Sequence, residues 1–537
     1  MCLSATVLGS GCVETPHYTP YATYYVSPEG DDRNDGRSPS RAWRTLSHAD
    51  DRAYTPGDRL LLKGGALFKG PLELGQGEAG RADRPVVVGS YGDGRATIEA
   101  HGSLGISVHN TGGIEIRDLR IVGRGSAYAS EGGIDLYSDL RDDRKLRHVV
   151  VSGVDVSGFR VGIQMGAGGR AGFRDVRITD SAVHDIKDMG LLTYGPEFGP
   201  AAPWSYSHEN VLVSRVVAHH IPGDSKSHHR HTGDGIIFGS VRGGRIQHSS
   251  AHDNGWRASS KAQEGPVGIW AYDSTGVLIE RNTAYRNHSG NKVDGGGFGL
   301  DSNVSDSVVQ YNLAFGNDGP GFHAFTSKDN SAHDNNVFRF NVSSKNARTK
   351  HDNGELDIHG VRLRRLQAYN NTLVTTDATG PPPTTAVRLV NRHSEGIVLR
   401  NNILVTESGP VITANPGYAP DQVTLQGNNY FSTRGDWSLE WGNRTYRSLG
   451  DWRSATGQEM VNAKRVGLAE APCFAGGELP EITRVDAARL MVPACGRVAD
   501  QGLDVRSLFG VDPGSRDYFG TPLDRPLIGA IRPAPRE

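Results

Sequence analysis

The chain is poor in cysteine, methionine and long apolar runs. Only 4 of its 537 residues are Cys and only 5 are Met. No stretch approaches the ~20 consecutive apolar residues that a membrane-spanning helix needs. No transmembrane segment is therefore expected. Charge of one sign is also missing, with a formal net charge of −2. A phosphate-binding surface normally carries a basic excess, so nucleic acid is not an expected partner. What the chain does have is glycine, 70 residues of it, beside many Asn, Asp and Ser. These residues serve tight turns between short strands and do not suit helical bundles.

The four cysteines fall in two places. Cys2 and Cys12 lie in MCLSATVLGSGC, which has the look of the end of an export signal. The segment LGSGC is close to a lipoprotein cleavage box, although one residue too long and without a basic start, so lipidation at Cys12 is one option. A secreted or cell-surface protein is the resulting expectation. Cys473 and Cys495 are either a disulfide or two thiols, and the sequence leaves both readings open.

The middle of the chain repeats. Short β-rich runs recur behind a glycine: GGIDLY (132–137), VGIQMG (161–166), DGIIFG (234–239), VGIWAY (267–272), GGFGLD (296–301), GFHAF (321–325) and ELDIHG (355–360). A second run follows most of them, for example VLIERN, VVQYN and VFRFN. A fixed period with two or three short strands per unit is a solenoid signature. The strands alternate, so the expected fold is all-β, a right-handed parallel β-helix. Apolar pairs such as Ile134/Leu136, Ile236/Phe238 and Phe298/Leu300 should point inward. Asn282, Asn312, Asn341, Asn371, Asn402 and Asn429 recur after the second strand and should form an inward ladder. The expected divisions are 1–23 as a signal remnant or linker and 24–100 as an N-terminal cap with the first strands. Residues 101–432 form the β-helix, and 433–537 an irregular C-terminal cap packed on it. The loop GDDRNDG (30–36) fails the EF-hand pattern at Arg33 and reads as a cap turn.

The same alignment selects an outer face. With coils ~4.8 Å apart, Trp270, Tyr272, Asp301, His323, Phe325, Asp357 and His359 fall together. Gly299 would leave a gap between Trp270 and His323, with Asp301 at its edge. Aromatic rings can stack on sugars and carboxyls can move protons, so the face suits a polysaccharide or oligosaccharide. A second row, Asp294, Asp318 and Asp352, lies three residues before successive strands. Close carboxylates raise one another's pKa, which a general acid needs. They could equally hold calcium, although no cofactor is required. Glu264 is a further candidate acid. The loop SHHRHTGDG (227–235) contributes His231 and Asp234 as substrate contacts, a reading preferred to a metal site because its histidines crowd in one loop.

Two stretches are also familiar. YYVSPEGDDRNDGRSPSRAWRTL with PGDRLLLKGG resembles the N-terminal cap of secreted β-helix carbohydrate-active proteins, including pectate lyases of polysaccharide lyase family 9. EGPVGIWAYDSTGVLIERN and DGGGFGLDSNVSDSVVQYNLAFGNDGPGF resemble β-helix proteins in and around glycoside hydrolase family 141. The resemblance implies catalytic carboxylates in the groove, and Asp294, Asp301 and Asp318 fall in its most characteristic stretch. Gly299 stands where the family 9 lyases place a lysine base, which favours hydrolysis. The expectation is a monomeric glycoside hydrolase in which Asp301 and Asp294 share acid and base or nucleophile roles. Asp318, His323, Asp357 or Glu264 would assist, and Trp270 and Tyr272 would form a sugar platform. A calcium-dependent polysaccharide lyase or uronate epimerase is the first alternative, with His323, His359 or Lys328 as base. A non-catalytic glycan-binding module is the second.

Overall fold

The alternating apolar pairs do close a core. Ile134, Leu136, Ile163, Met165, Ile236, Phe238, Phe298, Leu300, Leu356 and Ile358 are all at most 2% exposed. A computed structural model describes residues 21–533, apart from 101, 103, 199–203, 291–292, 328–332, 350–352, 377–383 and 436. Cys2, Cys12, Lys328 and Asp352 therefore lie outside the described residues. The chain forms a right-handed parallel β-helix of about 12 turns. Among the described residues its strands make two long sheets, of 25 and 14 strands, and almost every pairing is parallel. Each coil gives one strand to the 14-stranded sheet and, in most coils, two short segments to the other.

Those two segments meet at a corner with a fixed recipe. One residue adopts left-handed backbone, as at Arg281 (φ 56°), Tyr311 (φ 56°) and Phe340 (φ 51°). The next residue is the ladder asparagine. Asn282, Asn312, Asn341, Asn371, Asn402 and Asn428 are joined amide to amide at 2.9–3.1 Å. Every Oδ1 in the run after Asn282 also accepts the backbone N–H of the asparagine one coil earlier. An unsatisfied buried polar group costs ~1–3 kcal/mol, so this bonding lets polar side chains line the core. The last member is Asn428 and not Asn429. Gly427 takes the left-handed position (φ 71°) that Asn401 holds one coil earlier, so the ladder residue is the one directly after it, and Asn429 bonds the Glu470 backbone.

A second column occupies another corner. Asn254, Asn287, Asn317 and Asn346 are linked at 2.7–3.0 Å. Their left-handed partners are Asp253, Arg286, Gly316 and Lys345. Every amide in both columns donates one N–H toward the next coil and the other to a carbonyl of the preceding coil, as Asn312 does to Ile279 and Asn317 to Ala284. Each column ends on a buried carboxyl, Glu459 for the first and Glu355 for the second.

Both ends of the stack are closed. At the N-terminal end Thr23–Val26 pairs with Arg59–Lys63, and Tyr24 stacks on Trp43 at 4.9 Å. The short helix Leu46–Asp50 buries Leu46 and Ala49 there. At the other end the helix Leu449–Thr456 buries Trp452 against Tyr430 and Trp441. The remaining chain returns along the outside of the coils. Leu468, Phe474, Ile482, Met491 and Ile528 cover outward-facing Leu313, Phe315, Val342, Val374, Ile403 and Val405. A Cys473–Cys495 disulfide, with Cα atoms 5.5 Å apart, closes this tail.

Candidate functional site

The 14-stranded sheet carries the selected face. Its register places Trp270, Gly299, His323, Asp357 and Arg388 in one row across successive coils. Gly299 does not leave an open gap. A Cβ built there would lie 2.3 Å from Nε2 of His323, so the imidazole reclines over the glycine. His323 is 2% exposed and burial pushes its pKa down to about 4, which leaves the ring neutral. Tyr272 reclines in the same way over Gly239, where a Cβ would meet Cζ at 2.3 Å.

Trp270 is not an open sugar platform. It is 3% exposed, packed beside Ile237 and Val267, with the His231 ring tilted against it at 4.7 Å. Its indole N–H donates to Asp234 Oδ1 at 3.0 Å, and the Val267 N–H donates to the same oxygen. Asp234 is fully buried, and its other oxygen has no hydrogen-bond partner among the described residues. Burial pushes its carboxyl up to about 7, against the opposing pull of His231. These contacts make Trp270 and Asp234 the floor beneath His231.

His231 is the centre that periodicity could not indicate, because its loop belongs to no repeat. Its Nδ1 donates to the Gly265 carbonyl at 2.7 Å. The Gly265 N–H in turn donates to Asp294 Oδ2 at 2.9 Å. Burial lowers the affinity of His231 for a proton, but Asp234, Asp294, Asp301 and Glu264 act against it and leave the pKa raised. His231 therefore sits among four carboxyl groups that favour its imidazolium form.

Asp301 begins the turn after Gly296–Leu300. Its Oδ1 accepts the Ser302 N–H at 2.6 Å and the Ser302 hydroxyl at 3.2 Å. Burial pushes its carboxyl up to about 6. His231 opposes that rise and the charge of Asp294 adds to it. Asp294 stands before the strand in left-handed backbone (φ 56°), followed by Gly295 (φ 78°). This double left-handed step turns the chain into the strand and holds the Asp294 side chain against Gly265. Glu264 lies on the exposed rim.

The other candidates are held by other partners. Asp318 accepts the Ser289 N–H at 3.1 Å, contacts His288, and lines a separate cavity with Arg286 and Arg348. Asp357 is fully buried, held by Arg388 at 3.1 and 3.2 Å and by His359 at 3.3 Å. Burial works against ionisation there, but His359 and Arg388 outweigh it and keep Asp357 charged. Phe325 packs on His359 at 4.7 Å. Among the described residues no three His, Cys, Asp or Glu side chains are arranged to hold a metal ion. Asp294 and Asp318 each already accept a backbone N–H.

Comparison with known proteins covers the same region. Residues 204–360 match the family model "Right handed beta helix region". A lacto-N-biosidase of Bifidobacterium longum subsp. longum is 23% identical over 521 residues, covering 76% of this chain and 30% of that protein. The crystal structure of a GH136 lacto-N-biosidase from Eubacterium ramulus superposes with a TM-score of 0.53 at 18% identity, over 65% of this chain and 64% of that one. A xylose complex of XylC gives a TM-score of 0.49 at 9% identity, over 95% and 98% of the two chains. The chain thus spans under a third of the curated relative it matches. What these likenesses show is the architecture, a right-handed parallel β-helix.

Proposed function

We propose that this protein is a glycoside hydrolase whose reaction centre is Asp301, Asp294 and His231. One observation carries the reading. Burial holds the Asp301 carboxyl up at a pKa of about 6, and the charge of Asp294 adds to the rise. A carboxyl that keeps its proton close to neutral pH can protonate a departing glycosidic oxygen. Asp294 then acts as the base that activates water, or as the nucleophile, according to the separation of the two groups. His231 balances the negative charge and keeps both carboxyls in place. Tyr272 offers an aromatic edge for a sugar ring. Likeness to a lacto-N-biosidase adds support for hydrolysis of a glycosidic bond. The substrate is an oligosaccharide or polysaccharide. The disulfide fits an oxidising compartment and so supports a secreted or cell-surface location.

The test is turnover. Aryl lacto-N-biosides are the first substrates to try, followed by a panel of plant and microbial polysaccharides. Reducing-end release by wild type, lost in Asp301→Asn and resistant to chelators, is the expected result. An unsaturated uronate product or loss of turnover under chelation would replace the reading with a calcium-dependent lyase. Glycan binding without turnover would replace it with a binding module.

A further inference from the structure

Lys187 and Asp188 are consecutive residues just before the strand Met189–Tyr194, and between them they grip both ends of the loop that carries His231. At the loop's start the Lys187 carbonyl accepts the Gly223 N–H at 2.9 Å, and its ammonium pairs with Asp224 at 2.7 Å. At the loop's end the Asp188 carbonyl accepts the N–H groups of Gly233 at 2.6 Å and Asp234 at 3.2 Å. The Asp188 carboxylate pairs with Arg230, the residue before His231, at 2.7 Å. The two ends are also tied to each other, because Thr232 Oγ1 accepts the Asp224 N–H at 3.1 Å.

Asp188 is fully buried while Arg230 is 43% exposed in its side chain. A buried carboxylate needs a fixed countercharge, because desolvation of an unpaired ion costs several kcal/mol. Among the described residues the other cation paired with it is Arg160, farther off at 3.7 Å. The Arg230 backbone is therefore held to the coil by the shorter of two ion pairs to a charge that cannot reach water. His231 follows in sequence, so its imidazole is fixed in the ring of Asp234, Asp294, Asp301 and Glu264, with neutral His323 beyond.

We infer that the Lys187–Asp188 pair is a clasp, and that Asp188 and Arg230 are positioning residues that set the proton affinity of the reaction centre by fixing His231. The inference rests on the proposed hydrolase reading for its kinetic readout but not for its structural one. Arg230→Gln removes the nearer countercharge and leaves Arg160 beside Asp188, and Arg230→Lys restores it. With the imidazolium loosened, Asp301 loses an opposing positive charge, and the basic limb of the kcat/KM profile should move up by about half a pH unit or more. Arg230→Lys should move it back. His231→Gln should shift the limb in the same direction, and Arg230→Gln should add nothing in that background, because both act through one group. A purely structural loop would lower the rate at every pH and leave the limb where it was.

Amide exchange of Gly233 and Asp234, followed on the whole protein, supplies the second measurement. Faster exchange in Arg230→Gln, with recovery in Arg230→Lys, is expected. Unchanged exchange overturns the clasp. Faster exchange with an unmoved limb in Arg230→Gln, while His231→Gln does shift it, overturns the positioning role. If His231→Gln itself leaves the limb unmoved, the hydrolase reading of this centre fails, and exchange alone then decides the clasp.

Discussion

Replacing Glu355 by glutamine should change the sign of its effect on stability between acid and alkaline solution. Glu355 ends the second asparagine column inside the core, where it accepts hydrogen bonds from Ser343 Oγ, the Asn346 N–H and Asn346 Nδ2. Burial pushes its pKa from 4.5 up to about 7, with those donors acting in the opposite direction. Between these values the folded protein holds a proton that the unfolded chain has released. Stability therefore falls as pH rises through that window, by about 3 kcal/mol in all. A glutamine side chain cannot ionise and so escapes the loss. Its amide nitrogen also carries two N–H donors where the protonated carboxyl carries one O–H, and the extra donor facing Ser343 and Asn346 costs about 1 kcal/mol. The Glu355→Gln variant should be less stable than wild type by about 1 kcal/mol at pH 4.5 and more stable by about 2 kcal/mol at pH 8. Urea denaturation at the two pH values measures both differences, and other buried acids cancel because they are common to both proteins. A deficit of equal size at both pH values would refute the reasoning.

Asp301→Asn should lower kcat by about 10²–10⁴-fold, and wild-type kcat/KM should fall as pH rises past about 6, measured with an activated glycoside. Trp270→Phe removes the indole donor from buried Asp234, and a lower kcat with the fold retained is expected from kinetics beside circular dichroism. Asn341→Ala breaks the first column at its middle and leaves neighbours on both sides unsatisfied. A loss of about 2–4 kcal/mol should appear in denaturant unfolding, and a loss under about 0.5 kcal/mol would contradict the column's role. Reducing the Cys473–Cys495 bridge should free the returning tail to limited proteolysis, since a loop of 22 residues' separation loses about 3 kcal/mol of restraint, while the coils stay protected.

The coil interior is legible in the sequence because it obeys a period. Inward pairs such as Phe298 and Leu300 follow from alternation, and five of the six expected ladder asparagines occupy their places. The sixth is Asn428 and not Asn429, because Gly427 takes the left-handed position that elsewhere falls to Arg, Tyr, Phe or Asn and the first asparagine of GNN follows it. The second column is harder to see, although HDN, YRN, FGN and SKN repeat the same rule of a left-handed residue followed by asparagine. Its strands are too short to draw attention to the corner. The proposed reaction centre is legible only in part. Asp294 and Asp301 frame a periodic strand, but His231 comes to them on a loop, whose Arg230 is paired with Asp188 of a neighbouring coil. Exposure is the hardest quantity to foresee. Trp270 stands in an outward row, yet a loop lies across it, and His323 fills the space that Gly299 provides.

The two asparagine columns separate pitch from length. Successive members of the first are 30, 29, 30, 31 and 26 residues apart in sequence, yet the amide contacts hardly vary. The surplus or deficit in each coil must be taken up outside the columns, in the connections that run over the surface. Such connections include 220–233 and 255–266, which carry His231, Glu264 and Gly265 to the rim of the groove. A scaffold built this way can lengthen, shorten or exchange the loops around the candidate site while its interior keeps the same ruler. Change in what the groove accepts is then uncoupled from change in what holds the coils together.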